Sequence, residues 1–172
     1  LETENAGGFC SILLADATGR RLLHGAAPSL PNFYNRAIDG IAIGEGVGSC
    51  GTAAHTKERV IVEDIQTHPY WTSFRELAQR AGLSSCWSEP ILTSDGEILG
   101  TFASYHREPQ TPNPDDLRRI RDAADLAGLA IERSRAYDEI RRQAGLIKSL
   151  LDSIPDLIFF KNADGVYLGC NP

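Results

Sequence analysis

Short apolar runs of strand length, separated by turn residues, fill the first 106 positions of the chain. They predict strands over residues 8–15, 20–25, 60–65, 84–92 and 97–106. Turn residues separate the first two strands, and a Ser-Asp-Gly turn separates the last two, which indicates two antiparallel hairpins. The pattern therefore favours a sheet in which neighbouring strands run antiparallel.

Helical patterns lie between these strands. Residues 28–39 predict a short helix, and a glycine-rich loop over 41–48 leads into a helix over 49–56. A third helix is predicted over 70–81, where an apolar stripe recurs at helical spacing and Gly82 closes the pattern. The order of elements indicates an α+β domain, an antiparallel sheet flanked by helices.

A single long helix signal extends from about residue 112 to residue 153. At its start Asn113 can cap, Pro114 suits the first helical position, and two aspartates meet the positive end of the helix dipole. No breaker follows until Pro155. Roughly 40 residues at ~1.5 Å each give a rod of about 60 Å, longer than packing on one small domain explains. A long C-terminal helix that joins two modules is typical of signalling proteins.

The long helix carries two apolar registers, offset by about one position. The first has the spacing of a face packed on a sheet: Leu117, Ile120, Ala124, Ala127 and Ile131. The second repeats a heptad spacing: Tyr137, Ile140, Ala144, Ile147, Leu151 and Ile154. Because the second register has no local partner, we expect it to form a homodimeric coiled coil with a second copy of the chain. The alternative is a monomeric helix that folds back on its own domain.

A short hairpin is predicted after the long helix. Apolar runs at 156–161 and 166–170 flank a turn that ends in Asp-Gly. A lone hairpin is only marginally stable in water. We therefore expect this hairpin to open a further domain.

Composition narrows the classes of partner. A net charge of −6 and a pI of about 5.2 argue against nucleic acid or an anionic membrane as the main partner. No apolar run reaches the length of a membrane span. The four cysteines are widely spaced and lack CxxC pairing, so neither structural zinc nor a disulfide framework is expected. These features predict a cytoplasmic protein with reduced thiols.

Several blocks of the sequence resemble a GAF domain of the bacterial signalling type. They are residues 11–16, 46–54, 60–65, 82–91, 98–103 and 127–132. We place the GAF sensory domain at residues 1–135. The resemblance implies a GAF-like antiparallel sheet flanked by helices, with a cavity between sheet and helices where family members hold small ligands.

Residues from about 151 resemble the opening of a PAS domain, on the strength of Ser-Ile-Pro-Asp and the hairpin that follows. We assign residues 136–153 to a coiled-coil signalling helix and residues 154–172 to the truncated start of a PAS domain. This order resembles the sensory half of bacterial histidine kinases or of cyclic-di-GMP synthases and phosphodiesterases. No GGDEF or EAL string and no kinase phosphoacceptor segment occurs in the sequence. We therefore expect this fragment to be non-catalytic.

A candidate small-molecule pocket follows from the resemblance, with the ligand and any cofactor left open. Aromatic side chains with a few polar groups suit such a pocket. The candidate lining residues are Ser49, Cys50, Thr52, Trp71, Cys86, Trp87 and Ser88. The alternative is a filled core in which these side chains only pack. The glycine-rich loop lacks the lysine of a phosphate-binding loop, and the histidines show no metal-ligand spacing.

Cys50 and Cys86 support a second class of function. The segment around Cys50 resembles the loop that holds a cysteine in free methionine-R-sulfoxide reductase, itself a GAF protein. A thiol at a helix N-terminus has a depressed pKa. However, Gly40 occupies the position of an upstream active cysteine, and Cys86 is displaced from that of a later one. The alternatives are a thiol-based redox sensor or reductase-like enzyme, and two small buried residues near a pocket.

Overall fold

The computed structural model describes residues 8–170 and divides the chain into two compact units. Residues 1–7 and 171–172, at the ends of the first and last predicted domains, lie outside the described residues. The first unit extends to Ile131. In chain order its elements are β1 (Phe9–Ala15), β2 (Arg21–Ala26), α1 (Asn32–Ile38), β3 (Ile41–Ala42), α2 (Gly48–Thr56), β4 (Val60–Val62), a 3₁₀ turn (Pro69–Trp71), α3 (Arg75–Arg80), β5 (Ser85–Leu92), β6 (Ile98–His106) and the start of α4 (Pro114–Asp152).

The strands of the first unit form one sheet with the order β3-β2-β1-β6-β5-β4. Every neighbouring pair is antiparallel. In the β5–β6 pair, Cys86 lies opposite Tyr105 and Ser88 lies opposite Ala103. The predicted α+β class, an antiparallel sheet flanked by helices, is confirmed.

The sheet buries a different core on each face. The core of the first face includes Leu13, Leu22, Tyr34, Ile65, Trp71, Cys86 and Tyr105. The core of the second face lies beneath the first turns of α4 and consists of Trp87, Ile91, Leu99, Phe102, Ile120, Ala124 and Ala127. Because successive residues of a strand point to opposite faces, the sequence neighbours Cys86 and Trp87 belong to different cores.

The helix predicted over 70–81 is wrong as one continuous element. The structure has a 3₁₀ turn (Pro69–Trp71) followed by the separate helix α3. The His68 side chain accepts a backbone hydrogen bond that starts the turn, and Phe74, with φ −120° and ψ 0°, interrupts the helical geometry. The interruption places the Trp71 ring in the first core.

The glycine-rich segment predicted as a loop contains a short strand. Ile41 pairs with Leu22 and Ala42 pairs with Arg21, so that β3 forms one edge of the sheet. The strand predicted over 60–65 is shorter than expected and ends at Val62. With only two paired residues, β3 is too short to produce a recognisable strand pattern in the sequence.

The predicted long helix is present. α4 is continuous over 39 residues. The Asn113 side chain accepts hydrogen bonds from the backbone N–H groups of Asp115 at 2.8 Å and Asp116 at 3.0 Å. The Asp116 carboxylate accepts one in return from the Asn113 N–H at 3.1 Å. This reciprocal cap satisfies backbone donors at the start of the helix.

The second compact unit begins at Glu132 and contains the later part of α4 and a two-stranded hairpin. The hairpin pairs β7 (Phe159–Lys161) with β8 (Tyr167–Cys170). The Asn162 side chain accepts two backbone hydrogen bonds within the turn, at 2.8 and 3.1 Å, and Gly165 supplies a φ of +80°. The predicted hairpin is therefore present.

Candidate functional site: a cavity beside a buried thiol pair

Helix α2 is built from small residues, and this composition lets it pack closely on its surroundings. Its first seven residues are buried. A Cβ atom at Gly51 would lie 2.6 Å from the backbone oxygen of Ala42 and 2.9 Å from the Cβ of Val47. A larger residue would therefore push α2 away from the loop that precedes it. The close packing brings Ser49 and Cys50 against the first face of the sheet.

A cavity opens beside α2 on the first face of the sheet. Its cavity volume is about 20 Å³, within about 300 Å³ of unoccupied space that includes open solvent. Its lining consists of Leu13, Tyr34, Ile38, Ile41, Gly48, Ser49, Cys50, Trp71, Phe74 and Tyr105. The lining is aromatic and aliphatic apart from a few hydroxyl and thiol groups, and it contains no charged side chain.

Hydrogen bonds fix the polar groups of this cavity. The Trp71 indole N–H donates to Ser49 Oγ at 3.0 Å, and Ser49 Oγ donates to the backbone oxygen of Cys86 at 3.5 Å. The Tyr105 hydroxyl lies 3.3 Å from Ser11 Oγ. The Tyr34 and Tyr105 rings meet edge to face, with their centroids 5.9 Å apart. The walls are therefore held by contacts from several elements.

The Cys50 sulfur lies 3.8 Å from the Tyr105 hydroxyl, and other polar side chains surround it. The Cys86 thiol has the largest effect and, with smaller contributions from the hydroxyls of Ser88, Thr101 and Tyr105, it lowers the pKa of Cys50 to about 7 despite burial. Burial, followed by the neighbouring Cys50, raises the pKa of Cys86 well above its usual value. The pair therefore favours a thiolate on Cys50 and a protonated thiol on Cys86.

Three of the seven candidate pocket residues line the cavity: Ser49, Cys50 and Trp71. Cys86 and Ser88 are buried on the same face of the sheet and, without lining the cavity, contribute to the lowered pKa of Cys50. Tyr105, which sequence reasoning missed, also lines the cavity. The signal for it was available in principle, because a β5–β6 hairpin closed at its predicted turn places Tyr105 across from Cys86.

The other two candidates lie elsewhere. Thr52 Oγ1 donates to the Gly48 backbone oxygen at 2.7 Å and accepts from the Gly46 N–H at 3.1 Å, so it holds the loop before α2. Trp87 lies on the second face, where its indole N–H donates to the Gln110 backbone oxygen at 3.2 Å. The expectation that Trp87 shares a cavity with Cys86 and Ser88 is wrong because side chains alternate along a strand.

A second cavity lies on the other face of the sheet, beneath the start of α4. Its lining consists of Cys10, Trp87, Phe102, Ser104, Asp116, Arg119 and Ile120. Nearby, the His106 ring stacks obliquely on Trp87, and its Nε2 lies 3.3 Å from Ser104 Oγ. Burial lowers the pKa of His106, and the Asp116 carboxylate opposes that effect. Within residues 8–170, no group of His, Cys, Asp and Glu side chains is arranged to hold a metal ion.

A family model for the GAF domain matches residues 1–132. The chain belongs to the GAF family. A curated relative, the methyl sulfide methyltransferase-associated sensor of Methanosarcina acetivorans, is 40% identical to it over 171 residues. The alignment covers 99% of this chain but only 17% of that sensor. The family and this relative support a sensory module.

Solved structures share the fold. A domain assigned to a two-component sensor histidine kinase of Sinorhizobium meliloti 1021 matches with a TM-score of 0.65 at 24% identity, covering 81% of this chain and 89% of that one. Free methionine-R-sulfoxide reductase of Neisseria meningitidis, solved with its substrate, matches with a TM-score of 0.60 at 21% identity, covering 80% and 74%. At these identities the likeness concerns the fold alone. Among the described residues, no helix has the length and apolar content needed to cross a membrane.

Proposed function

We propose that this GAF domain is the sensory module of a larger bacterial-type signalling protein and that it binds a small molecule in the cavity beside α2. The cavity itself carries the proposal. Aromatic rings of Tyr34, Trp71 and Tyr105 enclose a small polar edge at Ser49 and Cys50. An anionic ligand would lose its hydration there without gaining a counter-charge, so the lining favours a small, largely apolar molecule.

The residues that follow α2 connect the cavity to α4. Arg59 forms an ion pair with Glu89 of β5, and its Nη2 donates to the Leu117 backbone oxygen of α4 at 3.1 Å. Arg121 of α4 also pairs with the Glu89 carboxylate, at 3.2 Å. Suppose that α2 has two alternative placements and that the ligand binds one of them more tightly. Ligand binding would then shift α2 to that placement and change the packing of the first turns of α4.

In the proposed mechanism, α4 transmits this change within a homodimer. The predicted seam residues Tyr137, Ile140 and Ile147 are each more than half exposed. Ala144 and Leu151 continue the same heptad spacing. Covering one such side chain contributes about 1.5–3 kcal/mol when burial is complete. A second copy of the helix supplies the matching apolar stripe, because both chains carry the same repeat.

An exposed residue of the GAF unit supports the same arrangement. Leu126 is 68% exposed, although Ala124 and Ala127 beside it are buried in the second core. Counted along the sequence, Leu126 precedes Ile140 by 14 residues, two heptads, and so shares its heptad position. We include Leu126 in the proposed seam.

We further propose that the hairpin near the C-terminus opens a PAS domain and that the output is a histidine kinase or a cyclic-di-GMP enzyme. The match covers only 17% of the related sensor, so most of the length of that protein lies outside the aligned segment. The fold shared with a domain of a sensor histidine kinase is consistent with this order.

Ligand binding can be tested with a variant that fills the cavity. Ile41 lines the cavity from an edge strand, so Ile41→Phe adds volume there. Leu23→Phe adds a ring at a residue that is 43% exposed on the neighbouring strand and serves as the control. Wild type and both variants are heated with a panel of small uncharged aromatic and aliphatic molecules.

We expect at least one compound to stabilise the wild type and Leu23→Phe but not Ile41→Phe. A ligand at ~100 times its Kd stabilises by about 2.7 kcal/mol, a Tm shift of roughly 5–10 °C for a protein of this size. Equal shifts for all three proteins would place binding outside the cavity. A panel without any stabilising compound would favour the filled-core alternative.

A further inference from the structure

The Cys50 sulfur lies where hydrogen-bond donors from two strands converge. The Tyr105 hydroxyl lies 3.8 Å from it. The Cys86 thiol and the hydroxyls of Ser88 and Thr101, from β5 and β6, are near enough to lower its pKa. Cys50 itself is near the N-terminus of α2, where backbone N–H groups favour negative charge.

Two of these donors have no other role in the described part of the chain. Ser88 and Thr101 are each 0% exposed, and neither hydroxyl has a hydrogen-bond partner apart from its approach to the Cys50 sulfur. Buried hydroxyls normally find a partner, and a neutral thiol is a weak acceptor. Two buried, unpaired hydroxyls beside one sulfur indicate a site in which they gain an acceptor when this sulfur carries a negative charge.

We propose that Cys50 is a reactive thiolate that is oxidised by a hydroperoxide entering through the cavity, and that Cys86 resolves the product into a Cys50–Cys86 disulfide. Cys50 lines the cavity, whereas Cys86 does not line it and is fully buried. An oxidant therefore meets Cys50 first. This redox site goes beyond the proposed binding of a non-covalent ligand and does not depend on it.

The proposed oxidation proceeds in two steps. The Cys50 thiolate attacks one peroxide oxygen, the O–O bond breaks, and the leaving oxygen takes a proton from solvent, giving a sulfenic acid and water or an alcohol. The Cys86 sulfur then attacks the Cys50 sulfur, the S–O bond breaks, and hydroxide leaves with the Cys86 proton as water. The two thiols lose two electrons in total, which the hydroperoxide accepts.

A disulfide at this place would join α2 to β5 covalently. Arg59, which contacts both Glu89 and the Leu117 backbone of α4, is three residues beyond the end of α2. Fixing α2 against the sheet would therefore act on the same connection that we propose for ligand sensing. Oxidation of the thiol pair would then act on α4, as ligand binding does.

The intact chain is treated with hydrogen peroxide near pH 7, quenched by alkylation and digested with trypsin. Lys57 and Arg80 lie between the two cysteines, so the digest separates Cys50 and Cys86 into different peptides. We expect these peptides to be joined by a disulfide in the wild type. In Cys86→Ser, dimedone should label Cys50 as a sulfenic acid. In Cys50→Ser, Cys86 should stay reduced.

The effect of the Ser88 and Thr101 hydroxyls on Cys50 is tested through the pH dependence of Cys50 alkylation. The midpoint should lie at about 7 in the wild type and move upward in Thr101→Val and in Ser88→Ala, because each removes one donor. Ser104→Ala, on the opposite face of β6, should leave the midpoint unchanged and serves as the control. A circular dichroism spectrum verifies that each variant is folded.

Three results would overturn the proposal. In the first, Cys50 is oxidised no faster than Cys10. In the second, the wild type yields only sulfinic acid and no disulfide. In the third, the midpoint of Cys50 alkylation is unchanged when both hydroxyls are removed. None of these results bears on the Ile41→Phe ligand experiment, so the two proposals fail separately.

Discussion

Arg59 and Glu89 form an ion pair on the second face of the sheet, and the same guanidinium donates to the backbone of Leu117. The Glu89 carboxylate is 6% exposed and the Arg59 side chain 21%. One side chain thereby joins the segment after α2, the central sheet and the first turns of α4. These contacts link the residue before β4 to both β5 and α4.

Replacing Glu89 with Gln should destabilise the GAF domain by roughly 3 kcal/mol, because the shielded Arg59 guanidinium loses its counter-charge. Arg121→Ala should cost less than about 1 kcal/mol, since its side chain is 63% exposed and water screens the pair. Urea unfolding followed by tryptophan fluorescence measures both. Equal losses for the two variants would contradict a special role for Arg59.

Gly51→Ala should destabilise the domain by about 1–3 kcal/mol, because the new methyl group would lie 2.6 Å from the Ala42 backbone oxygen. Gly145→Ala is the matched control, since a Cβ there meets no atom within 4 Å on α4 and replaces a poor helix former. Thermal unfolding by circular dichroism compares them. A Gly51→Ala protein as stable as the wild type would show that α2 can move freely away from its neighbours.

The thiol pair predicts a pH-dependent stability under reducing conditions. The folded pKa of Cys50, about 7, lies below its ordinary value of 9.0. Between these values the unfolded chain binds more protons than the folded chain, so stability should rise from pH 7 to pH 9, by on the order of 2 kcal/mol. Above pH 9 the raised pKa of Cys86 has the opposite sign, and stability should fall again.

Urea unfolding of the wild type and Cys50→Ala across pH 6 to 10 isolates this contribution. The rise should be absent in Cys50→Ala, because burial raises the pKa of the remaining Cys86 thiol, and a raised folded-state pKa adds no stability with rising pH. Parallel pH curves for the two proteins would rule out a folded-state thiolate at Cys50.

Much of the fold follows from local patterns in the sequence. The hairpins of β1–β2 and β5–β6 show apolar runs with turn residues between them, and α4 shows a cap, a long periodic stretch and no breaker. These signals depend on neighbours within a few residues. The sequence pattern did not predict the 3₁₀ turn before α3. The apolar residues from Trp71 to Ala81 have helical spacing whether or not the helix is interrupted at Phe74.

The candidate site was only partly predictable, since a cavity combines elements that are distant in sequence. Ser49, Cys50 and Trp71 came from the glycine-rich entry to α2 and from an aromatic stripe. Tyr34 required the position of α1 over the sheet, which no local pattern contains. Trp87 was assigned to the pocket because it is aromatic. It follows Cys86 directly on β5, so its side chain points to the opposite face of the sheet.

The central claim, that α4 acts through a paired helix, is tested most directly by sedimentation. Ile147→Asp places a charge in the seam, and Ser149→Asp places the same charge at an exposed position outside it. The wild type and Ser149→Asp should sediment as dimers, and Ile147→Asp as a monomer with an unchanged unfolding transition of the GAF domain. A monomeric wild type, or an Ile147→Asp protein that still sediments as a dimer, would contradict the account.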